Sequence, residues 1–299
     1  MIKPAPILLF TYKRLDALKN TIAALKKNDL ASESDLFIFS DGPKQLKDKD
    51  IIDQIRTFLK TVDGFKSVTI SASPTNKGLA NSIIGGVTTV MEKSETVIVL
   101  EDDLLTTPNF LTYMNKALSE YTAEKKIFSI SGYSFDLRSK DQNPNTTYLL
   151  NRGWSWGWAT WRDRWENVDW EVASYKEFSE NKLERKEFAK GGSDLNAMLD
   201  KQMSGKLDSW AIRWFYHQFK TGGLTLYPLG SKIYNDGFDE FATHTNGSEK
   251  RYLPYLDKEH QMNFNFPKEI AISKEYQKKF QSKMGFIARI KSKIEGFFK

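Results

Sequence analysis

The sequence predicts an α/β protein: a mostly parallel β-sheet flanked by helices, with a second half fused to it and an amphipathic helix at the C-terminus. Three observations predict this. Short β-rich runs alternate with helical stretches through residues 1–131, the pattern of successive βαβ units. The run Val97–Leu100 is apolar at every position, as a buried strand requires. No repeat or Pro/Gly/Ser-rich linker separates the two halves, so the second is built on the first.

The strands expected in order are Pro6–Thr11, Asp35–Ser40, Ser67–Ala72, Thr96–Leu100 and Ile127–Ser131. Helices are expected between them at Arg14–Lys27, Leu46–Val62, Gly78–Met91 and Pro108–Tyr121. Leu15, Leu18, Ile22 and Leu25 share one face of the first helix, and Pro108 suits the opening of the last. After residue 132 loops lengthen, aromatics accumulate and periodicity weakens. The division expected is 1–131 for the first half, 132–266 for the second, and 267–299 for a basic tail.

Composition narrows the function. At 299 residues and 40% hydrophobic content the chain can bury a sizeable core. Cysteine is absent, which excludes disulfides, thiolate metal sites and a catalytic thiol. The net charge of +6 lies in the tail, where nine Lys/Arg face three Glu from Lys268 onward. The body is therefore balanced, and no nucleic-acid partner is expected. No run approaches the ~20 apolar residues of a membrane span, so a cytoplasmic protein, soluble or peripheral on the inner face of the cell membrane, is expected.

The chemistry begins at TVIVLEDDLL, where Glu101, Asp102 and Asp103 follow a buried strand. Ligands of parallel α/β sheets bind beyond the carboxyl ends of the strands. Adjacent carboxylates repel one another, and a hard cation with oxygen ligands, Mn²⁺ or Mg²⁺, would relieve them and bind a diphosphate. A solvated acidic loop capping the next helix is the plainer alternative. Thr11 and Tyr12 leave the first strand where a hydroxyl and an aromatic face can meet a base, and Arg14 can pair with phosphate. Asp41-Gly42-Pro43 reads as a turn at the end of the second strand. Asn76-Lys77-Gly78 opens a helix whose amides suit ribose or phosphate oxygens, or is simple punctuation.

Taken in order, Thr-Tyr-Lys-Arg, Ser-Asp-Gly, Asn-Lys-Gly-Leu-Ala-Asn and Val-Leu-Glu-Asp-Asp resemble the GT-A fold glycosyltransferases. The chain is similar to family 2-type bacterial enzymes and to the N-acetylglucosaminyltransferase I group over roughly residues 4–245. The resemblance implies a Rossmann-like fold and a nucleotide-sugar donor, with a UDP-sugar favoured. It implies Asp103 as metal ligand, Glu101 and Asp102 toward ribose or metal-bound water, and Asp41 toward uracil or ribose. Thr11, Tyr12 and Arg14 would line the nucleotide, and Asn76, Lys77 and Gly78 would close over it.

The second half should supply the acceptor site and the base. RGWSWGWATWRDRW holds five tryptophans. Trp158, Trp161 and Trp165 fall near helical spacing and are assigned to packing. Trp154 and Trp156, in the Gly-rich loop, are assigned to the donor or acceptor pocket, where an indole can pack on a sugar face. Asp208 matches the Asp-x-Trp segment where the resemblance places the catalytic base, and it also reads as a helix N-cap. Asp194 and Asp236 are lesser choices for the base. His217 reads as a packed histidine. His244 is assigned to the metal shell or diphosphate, and Arg213 and Lys232 to the leaving diphosphate.

In the tail, Met284, Ile287, Ile290, Ile294, Phe297 and Phe298 fall on one helical face, with basic residues mainly elsewhere. Docking on an anionic membrane surface is favoured over packing against protein. The expectation is a metal-dependent, inverting hexosyl- or N-acetylhexosaminyltransferase acting on a glycan or lipid-linked glycan in surface polysaccharide synthesis. A sugar nucleotidyltransferase is the first alternative, though PILLFTYKRLD lacks its Gly-rich loop. A noncatalytic carbohydrate-binding protein is the second, and it would not need the acid triplet.

Overall fold

A computed structural model describes residues 4–139, 143, 145–237 and 249–297. Ten strands are found among them: β1 (Ile7–Thr11), β2 (Asp35–Ser40), β3 (Ser67–Ala72), β4 (Thr96–Glu101), β5 (Leu104–Thr106), β6 (Ile127–Ser131), β7 (Thr147–Leu150), β8 (Trp158–Trp161), β9 (Leu224–Pro228) and β10 (Ile233–Asn235). Eight form one sheet in the order β3-β2-β1-β4-β8-β6-β9-β7, and β5 pairs with β10 in a second, two-stranded sheet. Pairing along the large sheet is parallel except where β8 and β7 run in reverse. The mostly parallel sheet expected from the alternating pattern is therefore present, and it continues through the second half by way of β8.

The helices are α1 (Leu15–Lys26), α2 (Lys49–Leu59), α3 (Leu79–Met91), α4 (Phe110–Glu120), α5 (Arg162–Trp165), α6 (Tyr175–Glu180), α7 (Lys182–Phe188), α8 (Leu195–Met203), α9 (Trp210–Lys220), α10 (Lys274–Met284) and α11 (Phe286–Phe297). They cover both faces of the sheet. Ile7 and Leu9 of β1 join a cluster containing side chains of α1, α2, α4 and α10, while Leu8 and Phe10 join another containing side chains of α3, α8 and α9. Alternate side chains of a strand point to opposite faces, so a strand covered twice must be apolar throughout. That is why ILLFT carries no polar residue before its last position.

Three expectations need correction. WATW is a strand, not part of a helix: Trp158 enters one cluster and Trp161 the other, as residues three apart on a strand must. Both are buried as packing residues, but on opposite faces of the sheet. Four residues are too few for periodicity to separate helix from strand, and aromatic and Thr side chains favour the latter. The cap of α9 is Ser209, whose side chain accepts from the Ile212 amide, and Asp208 precedes it. The tail is two helices that break at Gly285, with backbone extended there. Met284 is buried against the body, whereas Phe286, Ile287 and Ile290 are exposed, so the single apolar face is divided. Phe298, and the side chains of Ile294 and Phe297, lie outside the described residues. Among those residues no helix is long and apolar enough to cross a membrane.

Candidate active site

Register brings the expected residues to one edge. Thr11 pairs with Ser40, and Phe10 pairs with Glu101, so the chain leaves β1, β2 and β4 side by side at their carboxyl ends. Asp41 and Asp102 are the next residues on the two neighbours. The Asp41 amide donates to the Thr11 carbonyl at 3.0 Å, continuing the ladder by one step.

The three acids of the triplet turn in different directions. Asp102 is buried and turns back toward β1: its Oδ2 accepts from Thr11 Oγ1 at 2.8 Å and from the Tyr12 amide at 3.1 Å. It clasps the two strand ends together. Asp103 turns outward and accepts from Arg14 Nη1 at 2.7 Å, an ion pair with side chains 19% and 14% exposed. Strand β10 delivers Asp236 and Gly237 over this pair. The Asp236 amide donates to the Asp103 carbonyl at 2.9 Å, and a Cβ on Gly237 would overlap the Asp103 carboxylate. A side chain there would have to displace the Asp103 carboxylate from its place on Arg14.

Burial, with the charges of Asp103 and Asp102 beside it, pushes Glu101 up to about 8. Burial and Asp103 push Asp102 up to about 7, against the Thr11 and Tyr12 bonds that favour its anion. Such a cluster favours a cation over a third full negative charge. Among the described residues no three His, Cys, Asp or Glu side chains gather in metal-holding geometry. The all-oxygen donor set still fits Mg²⁺ or Mn²⁺, since such ions are held by one or two carboxylates together with substrate phosphates and water. Asp103 is the residue that would hold it.

The second group centres on Asp41. Its carboxylate accepts from the amides of Gly42 at 2.8 Å, Lys77 at 2.9 Å and Gly78 at 3.1 Å, and from Asn76 Nδ2 at 3.0 Å. Four donors occupy it, so Asp41 shapes the 76–78 segment from below. Gly78, at φ +77, turns this segment into α3, a conformation costly for other residues. Arg56 ties the same region together by donating to the carbonyls of Ser73 at 2.5 Å and Asp41 at 3.4 Å. Tyr12 is fixed through its hydroxyl, which donates to Asp48 Oδ2 at 2.9 Å and accepts from the Lys44 amide at 3.2 Å.

Asp208 arrives from the other half. Its side chain is 66% exposed and 3.6 Å from Arg213 Nη2. It faces Gly78, where a Cβ would stand 3.9 Å from Asp208 Oδ2. The carboxylate is therefore presented to the 76–78 segment and left unencumbered by capping, which Ser209 performs.

Most of the remaining residues lie elsewhere. Trp154 is buried in the core and stacked on Tyr133 at 5.2 Å, while Trp156 is half-buried with its edge against the same ring at 4.7 Å. Asp194 is held bidentate by buried Arg152. Lys232 is 1% exposed and paired with Asp257, so it is a strut and not a diphosphate ligand. Arg213 is half-buried and donates to the carbonyls of Ser209 and Trp170, each at 3.3 Å. The half-buried ring of His217 accepts from the Asp169 amide at 3.3 Å. Asp236 is exposed beside Asp103. His244 lies outside the described residues. Asp48, Arg56 and Gly237 were not anticipated; only Gln45-x-x-Asp48, at capping-box spacing, offered a local signal.

No protein-family model and no curated protein matches this chain. Among solved structures, the mannosyltransferase PcManGT from Pyrobaculum calidifontis, in complex with GDP-Man and Mn2+, is similar with a TM-score of 0.39 at 11% identity, over 56% of this chain and 47% of that one. TarS of S. aureus is similar with a TM-score of 0.37 at 13% identity, over 56% of this chain and 30% of that one. The chain thus matches less than half the length of either.

Proposed function

We propose that the protein is a metal-dependent, inverting glycosyltransferase that moves a sugar from a nucleoside-diphosphate sugar, UDP-sugar favoured, to a hydroxyl of a glycan or lipid-linked glycan. One observation carries the reading: the Arg14–Asp103 pair, the Asp41-braced 76–78 segment and Asp208 are presented around the carboxyl edge of parallel strands. Each supplies a different part of the chemistry. The nucleoside lies across Thr11, Tyr12 and the 76–78 segment, whose shape Asp41 holds. Arg14 is placed to exchange its carboxylate for a phosphate oxygen, a charge-assisted bond of similar strength. Mn²⁺ or Mg²⁺ held by Asp103 would supply neutralisation of the diphosphate's charge.

Asp208 takes the proton from the acceptor hydroxyl as its oxygen bonds to the anomeric carbon. The bond from that carbon to the diphosphate oxygen breaks in the same displacement, with inversion and no covalent intermediate. The narrower likeness to the N-acetylglucosaminyltransferase I group and a role in surface polysaccharide synthesis belong to the same proposal. The 132–266 half would hold the acceptor, with half-buried Trp156 a better platform for sugar than buried Trp154. Peripheral attachment to the inner face of the cell membrane is supported by exposed Phe286, Ile287 and Ile290 beside Arg289 and Lys291.

The test is a thermal-shift screen of UDP-, GDP- and dTDP-sugars with and without Mn²⁺, followed by donor hydrolysis. Metal-dependent release of a nucleoside diphosphate is expected. Pyrophosphate release, or sugar binding without turnover, would overturn the proposal.

A further inference from the structure

Away from the carboxyl edge, guanidinium groups gather where the second half meets the C-terminal helices. Arg152 is buried, donating from Nη1 and Nη2 to Asp194 at 2.7 and 2.9 Å and from Nη1 to the Gly191 carbonyl at 3.1 Å. Arg289, on α11, donates to Ser193 Oγ at 3.3 Å, next to Asp194 in sequence. Arg251 is half-buried in the short turn Glu249–Tyr252. Burial, and then the like charges of Arg289 and Arg152, lower its pKa, and Asp194 opposes them. The turn that carries Arg251 packs on α11, and Arg251 Nη2 donates to the Tyr252 hydroxyl. Three cations therefore lie near Asp194, whose two oxygens are engaged by Arg152.

Several donors in this cluster lack acceptors. Arg152 Nε, Arg251 Nε and Trp154 Nε1 are each buried without a hydrogen-bond partner. Trp154 belongs to the same group, its ring centroid 5.2 Å from the Arg152 guanidinium. Leaving a buried donor unpaired is unfavourable, and more so when it is charged. Excess positive charge together with unpaired N–H groups is what an oxyanion would complete. Guanidinium forks match phosphate oxygens in particular.

We infer that this cluster binds a phosphate group, with Arg251 and Arg289 as its direct ligands and Arg152 as a fixed charge behind them. The phosphate can belong to a membrane lipid headgroup or to a phosphorylated glycan, and the site's chemistry is the same for both. The position of Arg289 on α11, whose Phe286, Ile287 and Ile290 are exposed, places the site beside an apolar surface suited to an amphiphile. The inference is independent of transferase activity.

The test uses the full chain with inorganic phosphate, glucose 1-phosphate, phosphatidylcholine vesicles, and the same vesicles containing phosphatidylglycerol. The variant Arg251→Gln/Arg289→Gln is compared with Lys274→Gln/Lys278→Gln, which removes equal charge from exposed positions of the neighbouring α10. The arginine variant should weaken binding at least about tenfold, the lysine variant far less. Binding of the soluble phosphates assigns a free or glycan-borne phosphate; binding confined to phosphatidylglycerol vesicles assigns a headgroup. Absence of binding to every probe, or equal weakening in the two variants, overturns the inference. Should the double arginine variant melt early, Arg289→Gln alone is read instead, with a loss of about threefold expected and an unchanged affinity overturning the inference. Metal-dependent donor hydrolysis, measured in parallel, should be unchanged in these variants, so a failure of the transferase proposal is seen separately.

Discussion

The Arg14–Asp103 pair at the sheet edge and the Lys232–Asp257 pair in the second half use the same chemistry for opposite ends. The first is partly exposed, with side chains 14% and 19% accessible, and it can exchange partners with a charged ligand. The second is 1% and 2% accessible, and Asp257 also accepts from Asn109 Nδ2 at 2.7 Å. It therefore ties the segment near residue 257 to the opening of α4. Breaking a buried pair strands a charge in a medium that cannot solvate it, whereas a partly exposed pair can be replaced by water or phosphate. Burial, and not residue type, separates the site from the scaffold.

The sharpest way to break this comparison is Asp208→Asn. Removing this exposed carboxylate, the proposed general base, should lower kcat by roughly 10²–10⁴-fold while leaving Tm unchanged. An unaltered rate in a steady-state assay would remove Asp208 from the mechanism. The reverse pattern is expected of Asp257→Ala: roughly 3–5 kcal/mol lost in denaturant unfolding, because buried Lys232 is left unpaired. Asp41→Ala should fall between them. It deprives three donors of the 76–78 segment of their acceptor, so donor KM should rise by roughly tenfold or more with a smaller effect on kcat. A kcat-only effect would argue against a shaping role.

The smallest expected effect is a pH dependence of stability in metal-free protein. Glu101 and Asp102 are raised to about 8 and about 7 by burial and neighbouring carboxylates. Between the unfolded value of about 4 and these values, the folded state binds more protons than the unfolded one, so stability falls as pH rises. Tm should therefore decline by a few degrees from pH 5 to pH 8, and Glu101→Gln should flatten the slope. Added Mn²⁺ should restore Tm at pH 8; a Tm that rises with pH would contradict the electrostatics of the triplet.

Much of the first half was legible locally. The strands Asp35–Ser40, Ser67–Ala72 and Ile127–Ser131 have the expected bounds, because short runs rich in β-branched or aromatic residues encode strand type and extent. The second half was less legible for a physical reason. WATW, the divided tail and the two-stranded sheet of β5 and β10 depend on partners distant in sequence. A four-residue strand has no period of its own, and β10 exists by pairing with residues more than a hundred positions earlier.

The acid triplet shows where the boundary lies. Its position after a buried strand is a local property, and from it the sequence by itself determined that carboxylates would stand at the carboxyl edge of a parallel sheet. Which way each one turns was decided by the tertiary structure. Asp102 is drawn inward by Thr11 and the Tyr12 amide, and Asp103 outward by Arg14 beneath Gly237. Asp41 was expected toward uracil or ribose and Asp194 as a lesser choice of base, yet one braces a loop and the other is locked to Arg152. A carboxylate's role follows from the donors that reach it and the water that does not, and both are set by the packing of segments far apart in the chain.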